Sequence, residues 1–255
     1  MIVSCAEAPD FLSSVTRMSG GDPFACRIIS LYNSYSPELA FVDYWLTCDE
    51  NGVCTGAIAR NGSNFILLLT DKSDLGEISS FMRVAGASAV LMNGRYTLDF
   101  AGNSTEGVVM KTTAPIDMPE REGEIVSPEI KDAYDLIVKC AGEGFLPPVF
   151  EDFYVDVNHK LRHGAMRLCG LEVDGKLAAV AMTVAESPEG VVLGAVACDP
   201  EYRRRGCGST IVSDIVNGVI AENKTVYLHR AQNANAGFYA RLGFENCGSW
   251  REYRS

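Results

Sequence analysis

Residues 190–222 limit the possible folds of the chain more than any other segment. The apolar run Gly190–Cys198 is typical of a buried strand, and the turn "DPEYRRRGCGS" follows it. The next stretch, "TIVSDIVNGVIAE", has the apolar spacing of an amphipathic helix. A strand that leads through a short turn into a helix is the building unit of α/β proteins. The segment therefore predicts an α/β fold, a mixed sheet with helices on its faces.

The patterns on either side of this segment suggest that the chain contains a repeat. The C-terminal half predicts the order helix, helix, three strands, helix, strand, helix, strand, with a tight turn at Asp174-Gly175 between its first two strands. Residues 43–92 predict a similar order around the turn Asn51-Gly52. We interpret this as an internal repeat of about 100 residues. A chance likeness between two α/β halves is the alternative.

A change of composition marks the boundary between the two halves. The stretch "TTAPIDMPEREGEIVSPE" holds three prolines and an acidic cluster, without helical or alternating spacing. We expect an N-terminal domain at 1–115, a linker at 116–127 and a C-terminal domain at 128–255. Ser127 and Pro128 are expected to begin the first helix of the C-terminal domain as N-cap and first helical residue.

Charge and cysteine usage narrow the class of function. The chain has 33 Asp and Glu against 22 Lys and Arg, which gives a net charge of -11. A surface of this charge repels the phosphates of nucleic acids and anionic lipids, so we expect neither as a partner. Amines, which are cationic, are better candidates for a ligand. Nine cysteines without a C-x-x-C and only three histidines predict no metal site. The N-terminal residues do not resemble an export signal, and no apolar run is long enough for a membrane helix. We therefore expect a cytoplasmic protein whose cysteines are reduced thiols.

The turn itself is suited to binding phosphate. The first N–H groups of a helix have no intrahelical partner, and the helix dipole favours an anion there. Gly206 and Gly208 keep side chains away from those groups and permit a positive φ, while Arg203–Arg205 add positive charge. The simpler alternative is an ordinary helix start with solvated arginines.

At this point the sequence resembles a known family. "CDPEYRRRGCGSTIV" resembles the coenzyme A pyrophosphate loop of the GNAT (GCN5-related N-acetyltransferase) superfamily, whose pattern is Arg/Gln-x-x-Gly-x-Gly/Ala. "NAGFYARLGF", about 30 residues further on, is similar to the family's closing helix and strand, with Tyr239 in register. The resemblance covers Ser127 to Ser255. It implies an acyl-CoA N-acyltransferase fold for the C-terminal half.

The resemblance also implies where the cofactor lies. Strand Gly190–Cys198 would separate from the next strand, "TVYLH", and the pantetheine arm of acetyl-CoA would fill the gap. The pyrophosphate would lie on the amides of Arg204 to Ser209. The residues that the resemblance assigns to acetyl-CoA are Val196, Ala197, Cys198, Arg203, Arg204, Arg205, Gly206, Cys207, Gly208, Ser209, Asn233 and Phe238. The family pattern places an asparagine where this chain has Gln232.

The implied chemistry is direct acetyl transfer to an amine in a ternary complex. A backbone N–H around Ala197 would hold the oxyanion, and Tyr239 would protonate the departing thiolate. The general base stays open, and deprotonation through water is expected. Acids near the expected cleft are Glu151, Asp152, Glu172 and Glu186. Cys198 and Cys207 are expected to be small apolar side chains rather than nucleophiles, and His229 a hydrogen-bonded strand histidine.

The N-terminal half differs at the corresponding turn, "DKSDLGE". Asp71, Asp74 and Glu77 would oppose phosphates there, so we expect a degenerate copy that does not bind coenzyme A. Such a copy could serve structure, substrate walls or a possible homodimer.

The leading function is therefore an acetyl-CoA-dependent N-acetyltransferase acting on a primary amine of a small molecule or peptide. The alternatives are a non-catalytic acyl-CoA-binding or regulatory module and a transferase that uses another acyl-CoA.

Overall fold

The computed structural model describes residues 1–8, 10–19, 21–118, 122–142, 147–232 and 234–255. The chain forms two compact units. Unit 1 consists of Met1–Met110, His229–Asn235 and Asn246–Ser255, and unit 2 of Lys111–Leu228 and Ala236–Glu245. The units are thus not contiguous in sequence, unlike the expected domains. The expected linker also contains a strand, Glu124–Val126.

Unit 1 is a sheet covered by helices. Its elements are β1 (Ile2–Ser4), α1 (Phe11–Ser19), α2 (Pro23–Ser34), β2 (Val42–Cys48), β3 (Cys54–Asn61), β4 (Asn64–Leu69), α3 (Leu75–Val84), β5 (Ala89–Asn93), most of β6 (Asn103–Thr112) and most of β12 (Glu245–Arg254). Strands β1 to β4 are antiparallel, β4 and β5 are parallel, and β12 runs antiparallel to β5. The C-terminal strand is therefore an integral strand of unit 1.

Unit 2 has the same kind of architecture. Its elements are β7 (Glu124–Val126), α4 (Ile130–Cys140), α5 (Phe150–Arg162), β8 (Leu168–Val173), β9 (Lys176–Glu186), β10 (Gly190–Cys198), a 3-10 helix (Pro200–Tyr202), α6 (Cys207–Ala221), β11 (Thr225–Ala231, its last three residues in unit 1) and α7 (Ala236–Arg241). Strands β7 to β10 are antiparallel, and β10 and β11 are parallel. Residues 178–183 of β9 are all buried, as expected for a strand with both faces covered.

The predicted repeat is present in the order of elements. The series β2, β3, β4, α3, β5 in unit 1 corresponds to β8, β9, β10, α6, β11 in unit 2. Both series begin with a hairpin whose turn glycine has a positive φ, 77° at Gly52 and 71° at Gly175. The predicted mixed α/β fold is confirmed.

The predicted start of α4 is wrong by two residues. Its N-cap is Glu129 and its first helical residue is Ile130. The chain stays extended up to this point because Val126 pairs with Gly170 of β8. The Pro128 ring also lies above Gly170, where a Cβ would be 3.2 Å from Pro128 Cγ.

Within the described ranges, no helix combines the length and apolar character needed to cross a membrane.

Candidate active site

Strands β10 and β11 pair over only part of β10. Gly190–Leu193 pair in parallel with Thr225–Leu228, and the described residues show no further pair between the two strands, although β10 continues to Cys198. On its other side β10 stays paired with β9 as far as Cys198. One edge of β10 is therefore open after Leu193, and the separation that the resemblance implies is confirmed.

A β-bulge lies at this open edge. Gly194 pairs with Met182 and Ala197 with Val180, so β10 has one residue more than β9 in this interval. Ala195 has a φ of 46°, in the left-handed region that non-glycine residues rarely adopt. A bulge leaves its extra residue outside the ladder, so backbone groups at this point are available to a ligand. Residues 194–196 are also half-buried, whereas 191–193 are fully buried.

The turn after β10 ends in an uncapped helix N-terminus. Gly206 is the N-cap of α6, and no side chain accepts a hydrogen bond from the first turn. The first intrahelical bond is the one from Thr210 N to Gly206 O, at 2.9 Å. The N–H groups of Cys207, Gly208 and Ser209 therefore lack intrahelical partners, and the dipole of this 15-residue helix favours an anion there.

The two glycines of the turn have different roles. Gly206 has a φ of 84°, and a Cβ at this position would meet nothing within 4 Å, so backbone conformation is the reason for glycine. A Cβ at Gly208 would lie 3.6 Å from Phe238 Cζ and 4.0 Å from Cys198 Cβ, which is ordinary contact. Gly208 therefore lies where the turn, the end of β10 and α7 meet.

The three arginines of the turn are not equivalent. Arg203 donates from Nε to the carbonyl of Cys198 at 3.1 Å and so fastens the turn to β10. Arg205 pairs with the carboxylate of Glu122 at 2.6 Å. Arg204 is exposed, has a φ of 62° and makes no side-chain hydrogen bond or ion pair with the described residues. Arg204 is therefore the arginine most available to an incoming phosphate.

Cys198 is engaged by its neighbours. Its carbonyl accepts from Arg203 and also from Cys140 Sγ at 3.2 Å. Of the residues expected to pair with pantetheine, Ala197 pairs with Val180 of β9, whereas Val196 lies in the bulge outside that ladder. Burial raises the pKa of the Cys198 thiol to about 11, so it stays neutral at pH 7. A neutral thiol agrees with the expected apolar role.

Tyr239 lies on α7 between two other aromatic rings. Its ring centroid is 5.0 Å from that of Phe238 and 5.7 Å from that of Phe244, both edge-on. The hydroxyl makes no hydrogen bond to the described residues. Burial raises the pKa of Tyr239 to about 12, so the phenol keeps its proton at neutral pH. A protonated hydroxyl that lacks a protein partner can donate to a bound ligand.

The structure does not single out a general base among the four acids near the expected cleft. Glu186 is already engaged, because it pairs with Arg167 at 3.0 Å and accepts from Thr183 Oγ1 at 2.9 Å.

The other three lie at exposed positions. Glu151 and Asp152 belong to the first turn of α5, and Glu172 lies on β8 opposite Glu124. Asn233, which the resemblance assigns to the cofactor, lies outside the described residues.

Two ion pairs that no sequence pattern indicates hold the turn in place. Lys139 Nζ lies 2.7 Å from Asp199 Oδ2, which lowers the pKa of Asp199 below its usual value and ties the end of β10 to α4. The second pair is that of Arg205 with Glu122, from the expected linker. These partners are 60 and 83 residues apart, and no local pattern indicates such pairs.

The corresponding helix N-terminus in unit 1 is occupied by carboxylates. Asp74 is the N-cap of α3, and its Oδ1 accepts from the N–H of Glu77 at 2.9 Å. Glu77 in turn pairs with the ammonium of Met1 at 2.6 Å. Asp71 pairs with Arg95 at 2.8 Å. The position that an anion would take at α6 is thus filled at α3 by the protein itself.

The comparisons with known proteins agree with this geometry. Residues 165–246 match the family model "Acetyltransferase (GNAT) domain", which spans β8 to the start of β12. The comparison with curated protein sequences gives no match.

Solved structures extend the likeness to the whole chain. A tandem GNAT protein from the clavulanic acid biosynthesis pathway is similar with a TM-score of 0.61 at 13% identity, over 100% of this chain and 98% of that one. A GCN5-related N-acetyltransferase from Sphaerobacter thermophilus has a TM-score of 0.59 at 13% identity, over 100% and 95%. A putative GNAT-family acetyltransferase from Novosphingobium aromaticivorans has 0.56 at 17% identity, over 90% and 99%.

The repeated sheet-and-helix order and the open β10 edge beside an uncapped helix define an acyltransferase fold of the GNAT type. Residues 165–246 match a GNAT domain, and the whole chain is similar in fold to solved GNAT structures, one of which is a tandem GNAT protein. GNAT domains use acyl-CoA, and their members act on amine acceptors. Among the described residues, no group of three or more His, Cys, Asp and Glu side chains is arranged to hold a metal ion.

Proposed function

We propose that unit 2 binds acetyl-CoA and transfers its acetyl group to a primary amine of a small molecule or peptide. The observation that carries the proposal is the uncapped N-terminus of α6 beside the open edge of β10. The pyrophosphate lies on the amides of residues 204–209, and the charge of Arg204 adds to the field of the helix. Pantetheine pairs with backbone groups near Val196, which the bulge leaves outside the ladder with β9.

The reaction has three requirements, and residues of unit 2 meet two of them. The amine nitrogen attacks the thioester carbon, the C–S bond breaks, and a backbone N–H around Ala197 holds the oxyanion. Tyr239 donates a hydrogen bond to the departing sulfur, because its raised pKa keeps the phenol protonated. The amine loses its proton through water, since the named acids are exposed or already paired.

Unit 1 takes no coenzyme A in this proposal. Asp74 already fills the N-terminus of α3, and the neighbouring Glu77 and Asp71 lie in ion pairs with the Met1 ammonium and with Arg95. The unit then acts as a structural partner of the catalytic one.

The test is thiol release from acetyl-CoA across a panel of primary amines. We expect release that depends on the amine and that falls strongly in Tyr239→Phe, while acetyl-CoA binding stays within about twofold. Binding without release from any amine would favour the acyl-CoA-binding module. Absence of binding would overturn the cofactor assignment.

A further inference from the structure

The hairpin of β2 and β3 in unit 1 carries two cysteines that lie opposite each other. In the register of these antiparallel strands, Cys48 is the partner of Cys54. Their Sγ atoms are 3.9 Å apart, which places the two thiols in contact. The loop 49–53 is all that separates them in the sequence. The fold therefore brings two thiols together at the end of one hairpin.

The backbone hydrogen bonds of Cys48 show which kind of strand pair this is. Its N–H donates to the carbonyl of Met1 at 2.8 Å, and its carbonyl accepts from the Met1 ammonium at 2.8 Å. Both backbone groups of Cys48 thus face β1 and turn away from β3. Cys48 and Cys54 are therefore a non-hydrogen-bonded pair, in which the Cα atoms are about 4.5 Å apart and the side chains approach closely.

This separation suits a disulfide bond between the two strands. Bridged cysteines have Cα atoms roughly 4.4–6.8 Å apart and an S–S bond of about 2.05 Å. The two Sγ atoms must approach each other by about 2 Å, and rotation about the Cα–Cβ bonds provides a movement of that size. The bond can therefore form without a shift of either strand.

Two cysteines of unit 2 differ from this pair. The Sγ of Cys140 donates to the carbonyl of Cys198 at 3.2 Å, and the Sγ of Cys198 lies 3.8 Å from the carbonyl of Asp199. Those sulfurs contact backbone oxygens, whereas Cys48 and Cys54 contact each other. Both members of the unit 1 pair are also only half-buried, so a small reagent can reach them.

The surroundings of the pair favour the reduced thiols until an oxidant arrives. Burial, and then the neighbouring Cys54, raise the pKa of Cys48, so the thiol form predominates at neutral pH. Thiolate is the form that attacks a disulfide, and it is scarce here. Oxidation of the pair is therefore slow and needs a reagent that supplies the disulfide.

We propose that Cys48 and Cys54 are a redox modification site, at which a low-molecular-weight disulfide of the glutathione type closes a bond across the hairpin. One thiolate of the pair attacks a sulfur of the reagent, whose S–S bond breaks and releases one thiol. The second thiolate then attacks the mixed disulfide and releases the other thiol. The two cysteines lose two electrons and two protons, and the reagent takes them up as two thiols.

The bond closes a loop in unit 1, so it restricts the unfolded chain and stabilises the hairpin against which β1 pairs. The proposal does not depend on acetyl-CoA binding, and it can be tested without that cofactor.

Trypsin makes a direct measurement possible. Cleavage after Arg27 and Arg60 gives the peptide 28–60, whose only cysteines are Cys48 and Cys54. The folded full chain is incubated with glutathione disulfide, the remaining thiols are blocked with iodoacetamide, and the digest is analysed by mass spectrometry. We expect peptide 28–60 to carry no alkyl group and to be two hydrogens lighter than its reduced form. Glutathione adducts of this peptide should be at least tenfold less abundant, because the second thiol is in contact with the first.

Variants and denaturant unfolding give a second measurement. Cys54→Ser removes the resolving thiol, so glutathione should remain on Cys48 as a mixed disulfide. Cys5→Ser, which removes a half-buried cysteine of the same unit, should form the internal bond as the wild type does. Treatment should raise the denaturant midpoint of the wild type but not that of Cys54→Ser, and a dithiol reductant should reverse the rise.

The mass of the wild-type peptide decides the question even if Cys54→Ser does not fold. A peptide 28–60 that stays fully alkylated while the exposed Cys247 carries glutathione would overturn the proposal. Glutathione adducts in place of the internal bond, or an unchanged unfolding midpoint after the bond has formed, would overturn it as well.

Discussion

The guanidinium of Arg205 lies 2.6 Å from the carboxylate of Glu122, so one arginine of the turn that we propose to bind phosphate already holds an acid. Both side chains are partly exposed, at 44% and 74% of their surface. A pair of this kind is weak and is screened by salt. If the turn binds coenzyme A as proposed, a cofactor phosphate and Glu122 compete for Arg205.

The first prediction removes this competitor. Glu122→Gln should tighten acetyl-CoA binding by about two- to fivefold at low salt, and the gain should shrink as salt rises. Glu124→Gln is the matched control, because it removes an equal charge from a nearby acid that is not paired with Arg205. Calorimetry at two salt concentrations measures both effects. Equal gains in the two variants would show that only net charge matters.

The second prediction separates the two glycines of the turn. Gly206→Ala places a side chain at a φ of 84° and should lower the free energy of unfolding by about 1 kcal/mol, with weaker acetyl-CoA binding. Gly208→Ala makes only ordinary contacts with the protein and belongs to the helix, so the free energy of unfolding should stay at or slightly above that of the wild type. Denaturant unfolding and calorimetry measure the two effects. Equal losses in both variants would contradict the assignment.

The third prediction concerns the phenol of Tyr239 and pH. Its pKa of about 12 in the folded chain lies above the ordinary value of 10, so the folded state holds this proton more tightly. The stability that follows is complete below pH 10 and is lost as pH rises towards 12. Tyr239→Phe should lack this loss. The check is the difference in unfolding free energy between wild type and variant from pH 9 to 11.5, and a difference independent of pH would contradict it.

The fourth prediction concerns the helix N-terminus of unit 1. Asp74→Ala removes the N-cap of α3 and should cost about 1 kcal/mol of stability. Acetyl-CoA affinity should not fall, because the proposed cofactor site lies in unit 2. A weaker affinity for acetyl-CoA in this variant would contradict the proposed role of unit 1.

Local sequence patterns account for most of the fold. The order of elements, the two hairpin glycines and the start of α6 follow from apolar spacing and turn chemistry, which depend on neighbours in sequence. The composition of units 1 and 2, each built from separate stretches of the sequence, does not follow from such local patterns. The strand from Asn246 onwards completes the sheet of unit 1 beside β5, and nothing in its composition indicates a partner more than 150 residues away.

The candidate active site could be predicted only in part from the sequence. The glycines of the turn and the uncapped start of α6 follow a local sequence pattern. The ion pair between Arg205 and Glu122 and the β-bulge at Ala195 arise from tertiary packing instead. His229 was expected to be a hydrogen-bonded strand histidine, but its Nε2 has no partner among the described residues. This could not be predicted, because it depends on which side chains of α2 lie next to β11.

The central claim is that the N-terminus of α6 binds the cofactor pyrophosphate and that of α3 does not. Calorimetric titration of acetyl-CoA into wild type, Gly206→Asn and Gly206→Asp tests it most directly. Both substitutions suit a positive φ, but only aspartate places a carboxylate at the N-cap, as Asp74 does in unit 1. We predict one acetyl-CoA per chain and an affinity at least tenfold lower in the aspartate variant than in the asparagine variant. Two cofactors per chain, or equal affinity in the two variants, would contradict the claim.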